Sequence, residues 1–240
     1  MTSSASPLAE EAAREIRPGS VRELGSADFK AAAELHLEVL DIEFISRFGP
    51  SFLREYYRAW TLAPGGIALA VDDVAQGRLI GVLLGATQPH AHVSAMVRGF
   101  GPRLGAHMVM ASLKRPALAR DLVVTRAARY AGGLWRLAVA RVAARVNARR
   151  RQDRPAGSAV ATGEITHLLV DPSAQGHGVG KALVEAALET GRAAGIDEVV
   201  LVTPPDQAAT RFYERIGWSA AGTVVSRSGE RFVRYRYPLR

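Results

Sequence analysis

The residues whose types and spacing could do chemistry lie late in the chain, at Gln175-Gly176-His177-Gly178-Val179-Gly180-Lys181. Glycine at 176, 178 and 180 lets main chain come close to a ligand. Val179, Leu183, Ala187 and Leu188 then fall on related faces of a helix that starts inside the loop. The first N–H groups of a helix have no partner within it, and its dipole favours negative charge there, so a phosphate suits this place. Lys181 adds a cation. Two other phosphate loops fail on spacing. A dinucleotide fingerprint needs G-x-G-x-x-G after the first strand of its unit. A nucleoside-triphosphate loop needs four residues between its glycines and Ser or Thr after its lysine, whereas Gly176 precedes Gly180 by four positions and Ala182 follows Lys181.

Three further side chains could move protons. Tyr213 lies between Phe212 and Trp218, Glu164 stands at the head of the apolar run Ile165 to Val170, and His167 interrupts that run. Each has a plainer reading: a core aromatic, a solvated strand-end charge and a hydrogen-bonded sheet histidine. The chain has no Cys, which excludes disulfides, thiolate zinc sites and thiol nucleophiles. No metal is expected.

The elements that must position these groups follow from pattern. Ser20 to Leu24 reads as a first strand, Ser26 or Asp28 as the cap of a helix through Leu40, and Pro50 as the start of a second helix through Trp60. Ile67 to Val71 and Leu79 to Gly85 flank a turn-like stretch and form a hairpin. After Glu164 come a strand to Val170, the loop, a helix from Val179 to Ala194 ended by Gly195, and a strand Val199 to Thr203. A helix from Asp206 to Ile216 and two strands around Ser228-Gly229 complete the order. Strand, helix and strand in succession imply a parallel crossover, so the fold class is α/β with a mixed sheet.

These residues resemble the GNAT superfamily of N-acetyltransferases. The superfamily's Q/R-x-x-G-x-G/A signature matches at Gln175, Gly178 and Gly180 after Val170-Asp171-Pro172. A second block matches at Asp206, Ala209, Phe212, Tyr213, Gly217 and Trp218, with Asp in place of Asn and Trp in place of Phe. The resemblance covers most of the chain outside the tail and residues 90–160. It implies a splayed GNAT-like sheet in which Leu168, Leu169 and Val170 pair through main chain with the pantetheine arm of acetyl-CoA. Gln175, Gly176, His177, Gly178, Val179, Gly180 and Lys181 would hold its pyrophosphate. Tyr213 would protonate the departing thiolate, and a main-chain N–H near Leu169 would polarise the thioester. Asp206 occupies the place of a coenzyme-contacting Asn, yet caps its own helix well. The family's usual carboxylate on the next strand is missing, because Val199 to Thr203 contains none. Glu164 takes that role here, with His167 ranked behind it. The implied reaction moves an acetyl group to a primary amine of a small molecule, an amino sugar or a protein.

Residues 1–18 read as a disordered polar tail, and 19–240 as the acyltransferase domain, interrupted by a basic helical insertion at about 90–160. Residues 98–154 hold Lys114 and thirteen Arg against Asp121 and Asp153, a net +12 in a chain of net +8, so the remainder is acidic. Trp135, Val139, Val142 and Val146 form one helical stripe there. Such a stripe can pack on the domain or on a second copy as a homodimer, lie on an anionic membrane surface, or hold an anionic partner. Trp135 and Tyr130 are too few for nucleic-acid stacking. The alternative to an enzyme is therefore a catalytically idle coenzyme-binding fold carrying a basic binding module. No apolar run approaches the roughly 18 residues of a membrane span and no basic-then-apolar leader begins the chain, so a cytoplasmic location is expected.

Overall fold

The computed structural model describes residues 16–41, 43–115, 118, 160–205, 207–225 and 229–240. Its elements in order are β1 (Arg22–Glu23), α1 (Phe29–Val39), α2 (Pro50–Leu62), β2 (Gly66–Asp73), β3 (Arg78–Ala86) and α3 (Pro89–Lys114). After these come β4 (Thr162–Val170), α4 (Val179–Ala193), β5 (Glu198–Thr203), α5 (Gln207–Arg215), β6 (Ser219–Val225) and β7 (Arg231–Pro238). The chain divides into two units, residues 1–104 with 160–240, and residues 105–159. The striped segment of the expected basic insertion and Asp206 lie outside the described residues. Among those that are described, no helix is long and apolar enough to cross a membrane.

Seven strands form one mixed sheet in the order β1-β2-β3-β4-β5-β7-β6. The parallel pair is β4 with β5, joined by the crossover α4, and the other pairs are antiparallel. The first strand is shorter than its alternation suggested. Arg22 bridges Asp28 and Asp72, so Asp28 spends its carboxylate on Arg22 and on the Gly25 N–H, 2.7 Å away, rather than capping α1. The edge of the fold also reaches into the expected tail, since Pro18 bridges to Asp73 and Val74 donates to the Arg17 carbonyl at 2.8 Å.

Helix α4 covers one face of the sheet and α1 with α2 the other. On the α4 face, Val179, Leu183, Val184, Ala187 and Leu188 pack on Ile80, Leu83 and Ile165. Gly81 permits the close approach, since a Cβ there would stand 2.5 Å from the Val179 side chain. On the other face, Trp60 of α2 donates its indole N–H to the carbonyls of Ile67 and Gly85 at 3.2 and 3.0 Å, which pins α2 across the β2–β3 hairpin. Sheet and helices thus bury the apolar stripes that the sequence displays.

Candidate active site

The glycine loop lies at the carboxyl end of β4. The Asp171 N–H donates to the Ile80 carbonyl at 2.9 Å, which ends the strand, and the Asp171 carboxylate accepts the Ser173 N–H at 2.8 Å. It also takes hydrogen bonds from the Ser173 hydroxyl and the Arg78 guanidinium. Burial alone would raise the Asp171 pKa, but these donors hold it below the usual carboxylate range. After a single turn at Pro172–Ala174 the chain reaches Gly176 and Gly178, both left-handed with φ of 81° and 84°. Side chains seldom adopt that conformation. Gly178 caps α4, and the first N–H of the helix ladder to find an acceptor is that of Ala182, bonded to the Gly178 carbonyl at 2.9 Å. The N–H groups of Val179, Gly180 and Lys181 therefore precede the ladder. Nothing lies within 4 Å of where a Cβ would stand at Gly176 or Gly178, so main chain faces open space. Lys181 is exposed and pairs loosely with Glu185 at 3.7 Å.

Between β4 and β5 the sheet opens. Parallel register holds only at Thr162–Glu198, Gly163–Val199 and Glu164–Val200, and beyond it the strands separate while β5 continues along β7. With Asp171 bonded toward β3, strand alternation turns the main chain of Leu169 toward β3 and that of Leu168 and Val170 toward the gap. This gap leads to the loop. Phe212 of α5 meets Gly180, with its ring 3.4 Å from where a Cβ would be, so α5 packs against the start of α4. The Tyr213 ring is buried among Phe212, Trp218 and Tyr235, with centroids 5.0, 5.8 and 5.7 Å away. Burial pushes its phenol up to about 12, so it carries its proton at neutral pH.

The opposite face of β4 holds a second polar group. Against β3, Leu84 pairs with His167 but Gly85 pairs with Ile165, so Thr166 is a bulge. The extra residue breaks the period of two and puts Glu164 and His167, three apart, on one face. Glu164 lies within β4, opposite Ala86 and Val200, rather than before the strand. It is half-buried, and burial raises its pKa against the opposing pull of His90, Arg234 and His167. His167 packs edge-on to Tyr56 and Trp60 of α2. Its Nε2 lies 3.3 Å from Glu43 Oε2, in the segment between α1 and α2. The same oxygen is 2.9 Å from His36 Nε2, and His36 Nδ1 is 2.9 Å from the Tyr57 hydroxyl. Burial disfavours ionisation of Glu43, but hydrogen bonds from His167 and His36 outweigh it and hold the carboxyl at about 2. Burial likewise depresses His36 and raises the phenols of Tyr56 and Tyr57.

The fold therefore brings Gln175 to Lys181, Leu168 and Val170 to one end of the gap, Tyr213 into the aromatic cluster of α5, Trp218 and Tyr235, and Glu164 with His167 to one face of β4. Sequence reasoning passed over His36, Glu43, Tyr56 and Tyr57. The two tyrosines read as the apolar face of a helix, and Glu43 has no spacing signal. The one available hint was a charged residue between two helices that must pack on a strand containing His167.

Residues 125–218 match the model of the acetyltransferase (GNAT) family, starting within the stretch read as an insertion and covering the loop and Tyr213. This part of the chain is similar to the GNAT family. Mycothiol acetyltransferase of Beutenbergia cavernae is 48% identical over 60 residues, 25% of this chain and 20% of that protein. Mycothiol acetyltransferase of Geodermatophilus obscurus is 40% identical over 67 residues, 28% of this chain and 22% of that protein. The matched segment thus spans about a fifth of the length of these curated relatives. Among solved structures, a GNAT-family acetyltransferase of Desulfovibrio desulfuricans aligns with a TM-score of 0.53 at 13% identity, over 93% of this chain and 100% of that one. Aminoglycoside 6'-acetyltransferase type Ii aligns with a TM-score of 0.53 at 12% identity, over 92% and 98%. A Salmonella typhimurium protein solved with its cofactor acetyl-CoA aligns at 0.50 and 13%, over 92% and 94%. At these identities the likeness is one of fold.

Proposed function

We propose that the chain transfers an acetyl group from acetyl-CoA to a primary amine by direct attack in a ternary complex. The observation that carries this reading is the gap between β4 and β5, with unladdered helix N–H groups at its mouth and Phe212, next to Tyr213 in α5, packed against Gly180. The pyrophosphate lies on Gln175 to Lys181, and the pantetheine arm pairs with the main chain of Leu168 and Val170.

An aliphatic ammonium with a pKa near 10.4 must lose a proton before it attacks, at a cost of about 4–5 kcal/mol at pH 7. Glu164 accepts that proton, its raised pKa making it a better base than a solvated carboxylate. The amine nitrogen bonds to the thioester carbon, whose oxygen is held by a main-chain N–H facing the gap. The carbon–sulfur bond then breaks, and the thiolate takes the Tyr213 proton. The nitrogen's remaining surplus proton restores the phenol, so amide, free thiol and one released proton are the products. No covalent enzyme intermediate is required. Acceptors named for the relatives differ, and the class supported here is a primary amine on a small molecule, an amino sugar or a protein.

The test is thiol release from acetyl-CoA with a panel of diamines, amino sugars and peptide amines. Turnover with at least one acceptor, lost in Tyr213→Phe, is the expected result. Acetyl-CoA binding without turnover on any acceptor favours the idle coenzyme-binding fold instead. Absence of thermal protection by acetyl-CoA at concentrations far above micromolar removes both readings.

A further inference from the structure

We propose that His36, Glu43 and His167 form a binding site for one divalent transition-metal ion of the zinc type, tying α1, the segment before α2 and β4 together. His36 and Glu43 are 7 residues apart and His167 lies 124 further on, so no ligand spacing announces the site. The fold creates it. Each residue offers one ligand atom, and the three lie within 4.8 Å of one another. Two of the separations, 2.9 and 3.3 Å from Glu43 Oε2, lie just under and at the roughly 3.3 Å that neighbouring ligands keep around a tetrahedral ion with bonds of about 2.0–2.1 Å.

The donor set is two imidazole nitrogens and one carboxylate oxygen, a combination that suits zinc and leaves a fourth position open. Ligating histidines usually have their second ring nitrogen held by another group, and His36 Nδ1 meets the Tyr57 hydroxyl at 2.9 Å. His167 Nδ1 is buried without a partner among the described residues, and without an ion Glu43 accepts a proton from His167 Nε2, the proton that a metal would displace. His36 is fully buried and His167 nearly so, while Glu43 is 39% exposed. The rings of Tyr56 and Trp60 thus pack against His167, and the partly exposed Glu43 carboxylate is the ligand nearest solvent. Bound there, it anchors the wall of the face that carries Glu164 and sets the shape in which an acceptor is received.

The experiment uses the full chain without an affinity tag, stripped with EDTA and equilibrated in metal-free buffer. Zinc chloride is then titrated in equilibrium dialysis with elemental analysis, alongside thermal melts. One zinc per chain at micromolar free zinc, with a raised melting temperature, is expected. Glu43→Gln and His167→Asn should weaken uptake more than tenfold. Tyr57→Phe should weaken it about tenfold, the usual effect of losing a ligand's supporting partner. His107→Asn should leave it unchanged. Because His36 is in the core, the conservative Glu43→Gln and Tyr57→Phe variants keep the test sound if His36→Ala does not fold, and melts in EDTA verify their folding. Failure to take up stoichiometric zinc, or wild-type uptake by both Glu43→Gln and His167→Asn, overturns the site and leaves a hydrogen-bonded cluster. Metal content is read without turnover, so this result is separate from that of the acetyl-transfer reading.

Discussion

The two sides of β4 are built in opposite ways. On the side of α4, the groups that receive the coenzyme in our reading come from one stretch of chain: a strand end, three glycines and the first turn of a helix. On the side of α1 and α2, the polar groups come from places far apart in sequence and meet only because two helices and a bulged strand pack together. A coenzyme common to many reactions can be met by a local motif. A particular acceptor needs a surface composed by the tertiary fold, and such a surface can change without disturbing the loop.

The largest expected effect sharpens this contrast from the coenzyme side. Tyr213→Phe should lower kcat by about 10³ while acetyl-CoA still binds, because the ring's packing stays and only the proton donor goes. An unchanged kcat would return Tyr213 to a purely structural role in its aromatic cluster. On the other side, Glu164→Gln should lower kcat/KM by about 10² at neutral pH and leave the coenzyme KM unaltered. The sign of its pH dependence follows from burial. A raised pKa keeps the carboxyl protonated to higher pH than a solvated one, so wild-type activity should fall as pH drops through that raised value. The acid limb should vanish in the variant, and its persistence would assign the proton to another group.

Gly178→Ala tests whether the loop acts through its backbone. Forcing a side chain into the left-handed cap should cost about 1–2 kcal/mol and raise the KM for acetyl-CoA about tenfold, with kcat little changed. The smallest effect expected is that of Asp171→Asn, a loss of about 1 kcal/mol in urea unfolding, modest because its Arg78 partner is 38% exposed. Its pKa is depressed in the folded state, so this stabilisation is present above the ordinary value of 3.8 and fades as pH falls through the lower folded value.

Legibility in the sequence follows the same division. Loop, helix starts, hairpin and crossover were readable because each is set by neighbours within a few residues: Pro50 at a first turn, Gly195 at a helix end with φ of 72°, two apolar runs flanking a turn in β2 and β3. Glu164 was seen as a candidate but placed outside the strand, since its charge hides a position that β3 and β5 cover from both edges. The bulge at Thr166 had no signal, and without it alternation assigns Glu164 and His167 to opposite faces. His36 and Glu43 were invisible for a related reason: a buried histidine on a helix is chosen by what lies across from it, and of its partners Tyr57 is 21 residues away while Glu43 follows the helix without any spacing signal.

The missing side chain at Gly81 has a consequence of its own. The Val179 side chain rests where a methyl group would otherwise stand, so the height of the first turn of α4 above the sheet is set by an absence. The mouth of the cleft is thereby levelled from beneath, by a residue nearly a hundred positions earlier. A single methyl at position 81 acts as a shim, lifting the whole row of N–H donors at once while every residue of the loop stays the same.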